Sequence, residues 1–236
     1  MKTTVKVTAG ILFCILSNGV FSQTLEEIVS KHIEAIGGKD SWEKVRTMRY
    51  ESVMKAQGAE IHFTVVKSDR IALRSDISVM GMKGFNIVTT KEGWSYAPWA
   101  GQTKSEAMTA DNVKNSQDEL NIKDEFLTYK ELGKTIEYFD MDDIDGTECF
   151  KIKMTNKDGK ETTYYIDPGN YLTIKKTEKI KSDGQETENS TFYSNYKMLA
   201  EGLNIPMMTT SGWSEMETLK LEINPKIDDA IFKPGK

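Results

Sequence analysis

The chain has 236 residues, with 36 acidic against 31 basic side chains, two histidines and two cysteines. The acidic balance argues against nucleic acid as a partner and against broad electrostatic docking on anionic lipid heads. So few cysteines cannot staple a small scaffold, and the fold has to rest on a buried core.

Lys2 and Lys6 precede a short apolar run at residues 9–16, and Val20-Phe21-Ser22 offers a cleavage site. This layout predicts a secretory signal peptide over residues 1–22 and one mature domain over 23–236. A membrane span needs about 20 apolar residues, and Ser17-Asn18-Gly19 interrupts this run. Large residues, Leu12 and Phe13, stand next to Cys14, which speaks against lipidation there. Cys14 leaves with the leader, and Cys149 is then the lone cysteine.

Thr24 and Glu27 form a capping-box pattern. Leu25, Ile28, Val29, Ile33 and Ile36 follow at helical spacing, and Gly37-Gly38 supplies the stop. A second capping signal at residues 40–43 predicts a short helix carrying Trp42 and Val45. From Arg46 the period changes to two. Met48, Tyr50 and Met54 share one face, Arg49, Glu51 and Lys55 the other. Ile61, Phe63 and Val65 alternate with His62 and Thr64. Ile71 and Leu73 follow, then Phe85, Ile87 and Val88. Turn signals separate these runs at Gln57-Gly58, Ser68-Asp69, residues 81–84 and Glu92-Gly93. Residues 97–109 read as a loop and residues 110–132 as helical, with Leu120, Ile122, Phe126, Leu127 and Leu132 apolar.

The second half is dense in strands: residues 150–154, 162–166, 172–179, 192–198 and 216–223. Turns are expected at Asp145-Gly146, 157–160, 167–170 and 182–185. Strands at spacings near ten, joined by hairpins, predict an antiparallel meander rather than alternating βα units. The fold class is therefore α+β, mostly antiparallel β, with a single curved sheet closed by helices. One apolar face on a long sheet has to curl around something. A sheet incompletely filled by its helices leaves an apolar cavity, the default ligand site. The lining expected for it is Met48, Tyr50, Phe63, Val65, Phe150 and Ile152, with Trp94 and Trp99 near the mouth. For Trp94, Tyr96 and Trp99 around Pro98, ordinary packing of a strand end is the competing reading. The many methionines suit promiscuous apolar binding or plain core filling.

Catalytic patterns are absent. His32 lies beside the apolar stripe of the first helix and His62 on the polar face of a strand; neither stands in a pattern with a nucleophile. There is no GxSxG, HExxH or phosphate loop. Two histidines and one cysteine are a poor ligand supply for zinc. The acidic run at residues 140–146 fails the calcium-loop pattern at positions one and twelve, where Met141 and Ile152 stand. Neither catalytic residue nor metal nor cofactor is expected. Cys149 reads as a structural thiol.

Several segments together carry a family likeness. They are His32-Ile-Glu-Ala-Ile-Gly-Gly38, the passage from Trp42 to Tyr50, and the hairpin from Tyr164-Tyr-Ile-Asp167 to Leu172-Thr-Ile-Lys175. The passage from Tyr193-Ser-Asn-Tyr196 to Leu203-Asn-Ile-Pro206 and the end Asn224-Pro-Lys-Ile-Asp-Asp-Ala-Ile-Phe232 complete the set. Their order, over nearly the whole mature chain, resembles the outer-membrane lipoprotein-sorting protein family of the Bacteroidota type, with its LolA/LolB-like half-barrel. The resemblance implies a curved antiparallel sheet closed by helices, an apolar cavity, and binding of lipids or lipoprotein acyl chains in the periplasm; with the missing catalytic motifs, a non-catalytic, monomeric carrier or binder is expected. In the best-known carrier an arginine ties the lid helices shut; no motif selects Arg70 or Arg74 for that part. An envelope protein-interaction or sensor domain on the same fold is the alternative partner class, and a carboxylate-based hydrolase a third.

Overall fold

A computed structural model describes residues 23–182 and 185–234. The signal-peptide expectation lies outside the described residues. Two helices open the chain, α1 (Leu25–Ala35) and α2 (Lys39–Glu43). Strands β1 (Thr47–Ala56), β2 (Ala59–Ser68), β3 (Ala72–Val79), β4 (Met82–Thr89) and β5 (Gly93–Tyr96) follow. A 3-10 turn (Pro98–Ala100), a short β6 (Glu106–Ala107), α3 (Ala110–Asn115), a second 3-10 turn (Gln117–Leu120) and α4 (Glu125–Thr128) fill the middle. The chain continues through β7 (Thr135–Ile144), β8 (Thr147–Thr155), β9 (Glu161–Ile166), β10 (Thr173–Ser182), β11 (Gln185–Met198), β12 (Asn204–Ser211) and β13 (Ser214–Ile223). A last 3-10 turn covers Asp229–Phe232.

The thirteen strands make one antiparallel, open, curved sheet in the order β6-β5-β4-β3-β2-β1-β13-β12-β11-β10-β9-β8-β7. Strands adjacent in sequence make every pairing but one. The exception is β1 against β13, which brings the first and last strands together and folds two meanders into one surface.

The capping box of α1 forms as expected, Thr24 accepting from the Glu27 backbone while Glu27 accepts from Thr24. The helix ends in a Schellman turn: Gly38 N–H donates to the Ile33 carbonyl and Gly37 N–H to that of Glu34. Gly37 lies at φ 114°, and a Cβ there would meet the Gly202 carbonyl oxygen at 2.1 Å. The chain then docks on β12, where Asn204 N–H donates to the Ile36 carbonyl and Asn204 Nδ2 to that of Ala35. The start of α2 is capped by Gly38 and not by the expected Asp40.

On the concave face Ile28 and Val29 of α1 and Phe126 of α4 cover Phe150, Ile152, Met154, Tyr164 and Ile166. Full burial of each such side chain contributes roughly 1.5–3 kcal/mol. Next to them Trp42, Val45, Met48, Ile122 and Leu203 pack together, and beyond these Val65, Leu73, Val88 and Leu120. The opposite face carries a smaller core. There Ile227, Ile231 and Phe232 of the C-terminal segment cover Val66, Ala72, Phe85, Ile87 and Trp94. Arg74 fastens this strap, donating to the Ile231 carbonyl while it forks onto Asp76.

Three expectations need correction. The helical stretch at 110–132 breaks into α3, a 3-10 turn and α4, because Thr109 and Asp124 each cap a new start and Asn121 turns extended between them. Gly84 is not part of a turn but lies inside β4, opposite Ile77. Its missing side chain admits the Trp99 ring, whose atoms would stand 2.7 Å from a Cβ. The loop at 97–109 contains a 3-10 turn and the small strand β6.

Candidate functional site

A half-open cavity of about 270 Å³ lies on the concave face between the end of α1, the segment 118–125 and strands β9 to β12. Its apolar end is Ile36, Trp42, Ile122, Ile205 and Pro206. Trp42 is held there by its Nε1–H, which donates to the Ile36 carbonyl. The other end is polar and charged. Lys176 and Tyr164 face each other in register across β9 and β10, and Lys134 reaches in behind α4.

Glu125 binds both lysines, accepting from Lys134 Nζ at 2.8 Å and from Lys176 Nζ at 3.5 Å. Lys176 also lies 3.3 Å from Glu178. The Lys134 side chain is only 6% exposed. Burial opposes ionisation of Glu125, but the charge of Lys176 and the hydrogen bond from Lys134 outweigh it and hold the carboxyl below its ordinary pKa. Lys176 stays charged for the reciprocal reason: Glu125 overcomes its desolvation. Tyr196 donates to the Thr173 carbonyl at 2.7 Å, and burial raises the Tyr193 and Tyr196 pKa values.

His32 is 1% exposed at the rim of this polar end. Its Nδ1 stands 2.7 Å from the Tyr171 carbonyl, which only accepts, so Nδ1 carries a proton. Nε2 lies 3.5 Å from Asp124 Oδ1, the same oxygen that caps α4 by accepting from Phe126 N–H. Burial disfavours the imidazolium, yet the Asp124 carboxylate facing Nε2 and the hydrogen bond to the Tyr171 carbonyl together raise the His32 pKa.

Four buried side-chain polar atoms among the described residues lack a hydrogen-bond partner: His32 Nε2, Arg70 Nε, Asn121 Oδ1 and Tyr164 Oη. Three of these residues, His32, Asn121 and Tyr164, line this one cavity, where His32 Nε2 faces the Asp124 carboxylate and Tyr164 Oη that of Glu125, each just outside good hydrogen-bond geometry. Buried polar atoms are otherwise almost always paired, so the coincidence marks a place built to meet something polar.

None of the eight residues expected from sequence lines the cavity. Tyr50, Phe63 and Val65 come together as expected, but Leu120 buries Val65 while Tyr50 and Phe63 stay half-buried at the edge of this cluster. Met48 sits in the cluster behind the apolar wall. Phe150 and Ile152 are capped by α1 and Phe126. Ile152 is in register with Tyr164, one strand from the cavity. Trp94 faces the opposite side, beneath the C-terminal strap, while Trp99 covers Gly84 on the concave face. The two tryptophans thus share no mouth, because Trp94 belongs to strand β5 and Trp99 to the turn that crosses back over the sheet.

Two backbone irregularities, neither visible in the alternation of the sequence, bring cavity residues together. Lys175 and Lys176 are adjacent on β10, and the register shifts between Thr173 and Lys175. That irregularity leaves both Thr173 and Lys176 facing the cavity. Tyr193 and Tyr196 both reach it across Asn195, whose φ of 53° twists β11.

Other candidate chemistry is quiet. Cys149 is fully buried in β8, and burial with nearby Asp167, Asp143 and Asp142 pushes its pKa up to about 11. That is the opposite of an activated nucleophile. No cluster of three or more His, Cys, Asp or Glu side chains among the described residues is placed to hold a metal ion. No helix among them is long and apolar enough to cross a membrane. Arg70, for which no motif argued, grips Glu131 in a two-pronged ion pair at 2.7 and 2.9 Å. It thereby ties the β2–β3 turn to the segment that covers the concave face.

Solved structures match this architecture over nearly its whole length. A LolA superfamily protein from Nitrosomonas europaea superposes with a TM-score of 0.58 at 12% identity, over 90% of this chain and 98% of that one. The chain has the LolA-type fold. A DUF1329 family protein from Desulfovibrio piger gives a TM-score of 0.58 at 12% identity, over 88% and 96% of the two chains. A domain assigned to outer membrane lipoprotein sorting from Vibrio parahaemolyticus gives 0.53 at 12% identity, over 87% and 94%. No family model matches the sequence, and no curated protein matches it. At such identities the LolA-type likeness is one of shape, and function has to come from the site.

Proposed function

We propose that this protein is a non-catalytic binder and carrier of an acyl-bearing ligand in the periplasm, to which residues 1–22 export it. One observation carries the reading. Strand register aligns Tyr193, Thr209, Met216, Met54, Ile61 and Val79 in a single row across β11, β12, β13, β1, β2 and β3. Tyr193 is a wall of the cavity. The others are half-buried, and Phe63 and Ile77 flank the far part of the row on the same face.

Five strand spacings of ~4.8 Å make this ribbon about 24 Å long. That exceeds the ~15 Å that acyl chains fill in one leaflet of a bilayer. An acyl chain crossing the strands here covers methionine, isoleucine and valine side chains at ~0.8 kcal/mol per buried methylene. Its polar end reaches the lysine, glutamate and tyrosine groups of the cavity. Of the lining expected from sequence, Phe63 keeps a contact in this arrangement. The LolA-type fold of a sheet curved around a hollow supports the same reading.

The test is binding of a fluorescent fatty acid, with native mass spectrometry of the protein purified from an envelope fraction. Met54→Lys puts a charge in mid-ribbon without disturbing the cavity. The expected result is co-purified lipid and saturable binding that Met54→Lys weakens about tenfold or more. A protein that carries no lipid and ignores the probe would remove the proposal.

A second reading, a protein-docking domain, draws on Trp213 and Met80, 89% and 85% exposed at two hairpin tips. It is favoured instead if Trp213→Ser abolishes capture of one envelope protein while lipid binding is absent.

A further inference from the structure

The polar end of the cavity has a definite charge pattern. Its cations are Lys123, Lys134 and Lys176, and its anions Asp118, Asp124 and Glu125. Every lysine is already engaged: Lys123 with Asp69 at 3.3 Å, Lys134 with Glu125, Lys176 with Glu125 and Glu178. His32 faces Asp124. A phosphate or carboxylate entering here gains no uncommitted cation and meets the Glu125 carboxylate. An ammonium meets Lys134 and Lys176. Either charge has to be desolvated and to break an existing pair before it is compensated.

What the cavity does leave uncommitted is neutral hydrogen-bonding capacity. The Tyr164 hydroxyl belongs to a residue that is 5% exposed; its proton faces the Glu125 carboxylate, which leaves its lone pairs to accept. Asn121 spends its amide on Thr128 and keeps its carbonyl oxygen, an acceptor, unpaired. Two neutral acceptors, Asn121 Oδ1 and Tyr164 Oη, backed by the tyrosine rings of β11, are met by neutral donors, as hydroxyls are.

We infer that the cavity selects a neutral, hydroxyl-bearing head, such as glycerol or a sugar, and discriminates against phosphate, carboxylate and ammonium heads. The inference rests on the acyl-binding reading above for its tail, and on the orphaned Asn121 and Tyr164 atoms for its head. The hydroxyls come either from a lipid head or from a free polyol, and the chemistry of recognition is the same.

Three probes with one twelve-carbon chain separate the possibilities by calorimetry below their critical micelle concentrations: 1-monolauroylglycerol, dodecyl phosphate and dodecylammonium. The expected order has monolauroylglycerol about tenfold tighter than either charged probe, the scale of one or two well-made hydrogen bonds. Tyr164→Phe should weaken monolauroylglycerol about fivefold and leave dodecyl phosphate unchanged. Glu125 keeps both lysines in this variant, so its melting temperature should fall by no more than about 4 °C. Competition by free glycerol would identify a free polyol as the source and supports the same head chemistry. Equal binding of all three probes overturns the head inference and leaves the acyl reading standing; tighter binding of a charged probe does the same. Binding of none overturns both. The probe series uses the native protein, so its outcome is decisive even if the Tyr164→Phe protein is unstable.

Discussion

Lys134→Met probes whether the cavity charges compensate one another. Lys134 Nζ lies 2.8 Å from Glu125 Oε2 with its side chain almost wholly buried, and Glu125 is 28% exposed. Removing the lysine strands a carboxylate whose remaining partner, Lys176, is 3.5 Å away and shared with Glu178. Breaking a buried pair from one side costs about 3–5 kcal/mol. The partial exposure of Glu125 and its second lysine put this case near 3 kcal/mol, a fall in Tm of about 6–12 °C for a domain of this size. The pH dependence gives the sign. Glu125 has a folded pKa below its unfolded value, so its contribution is present above about pH 4.3 and is lost as pH falls through the folded pKa. In the variant that pKa rises, so the deficit against the native protein is largest near pH 7 and shrinks towards pH 4. Adding Glu125→Gln should recover at least half of the loss, because no unpaired charge then remains. Urea unfolding followed by circular dichroism at pH 7 and pH 4 measures all of this. A deficit below about 1 kcal/mol, equal at both pH values, would refute the reasoning.

Gly37→Ala forces a methyl group onto the Gly202 carbonyl oxygen and a positive φ onto alanine, so soluble yield should collapse or Tm fall by more than about 10 °C; expression with a thermal melt decides it. Asp124→Asn keeps the cap of α4, since asparagine caps as well as aspartate, but removes the charge facing His32. In the native protein the raised His32 pKa gives stability that is fully present below about pH 6.5 and lost as pH rises through the folded value. The variant should lose that slope above about pH 6.5, and an unchanged slope counts against the pair. Trp94→Ala should cost about 3 kcal/mol by opening the opposite-face core under the strap, whereas Trp213→Ala should stay within about 0.5 kcal/mol; chemical denaturation separates them.

Local chemistry made α1 and the first strands legible. The Thr24–Glu27 box, the Gly37-Gly38 stop and the Gln57-Gly58 turn each determine their geometry within a few residues. Alternation likewise put Met48, Tyr50, Phe63 and Val65 on one face. Two long strands stayed hidden. β7 is acidic, with Glu137, Asp140, Asp142 and Asp143, and is an edge strand where charge wards off further pairing. β12 contains Pro206, which argues against a central strand. It is tolerated because β12 pairs with β13 only from Met208 onward, leaving the proline nitrogen without a ladder partner to satisfy.

The cavity was illegible for a different reason. Alternation tells which residues share a face, but not which part of a face the helices leave uncovered. Leu120 and Phe126 fill the ground over Val65 and Ile152, and the hollow moved to Lys176 and Tyr164. A shift of one residue before Lys175 was enough to turn a lysine inward, and only the distant Glu125 makes it tolerable there.

The central claim, an acyl chain laid along the row from Tyr193 to Val79, is tested most directly by photocrosslinking with a fatty acid carrying a diazirine near its chain end, followed by peptide mass spectrometry. Adducts are expected on Met216, Met54 and Ile61. Adducts on Trp94 and Phe85 of the opposite face, or on Trp213 at its hairpin tip, with none along the row, would contradict it.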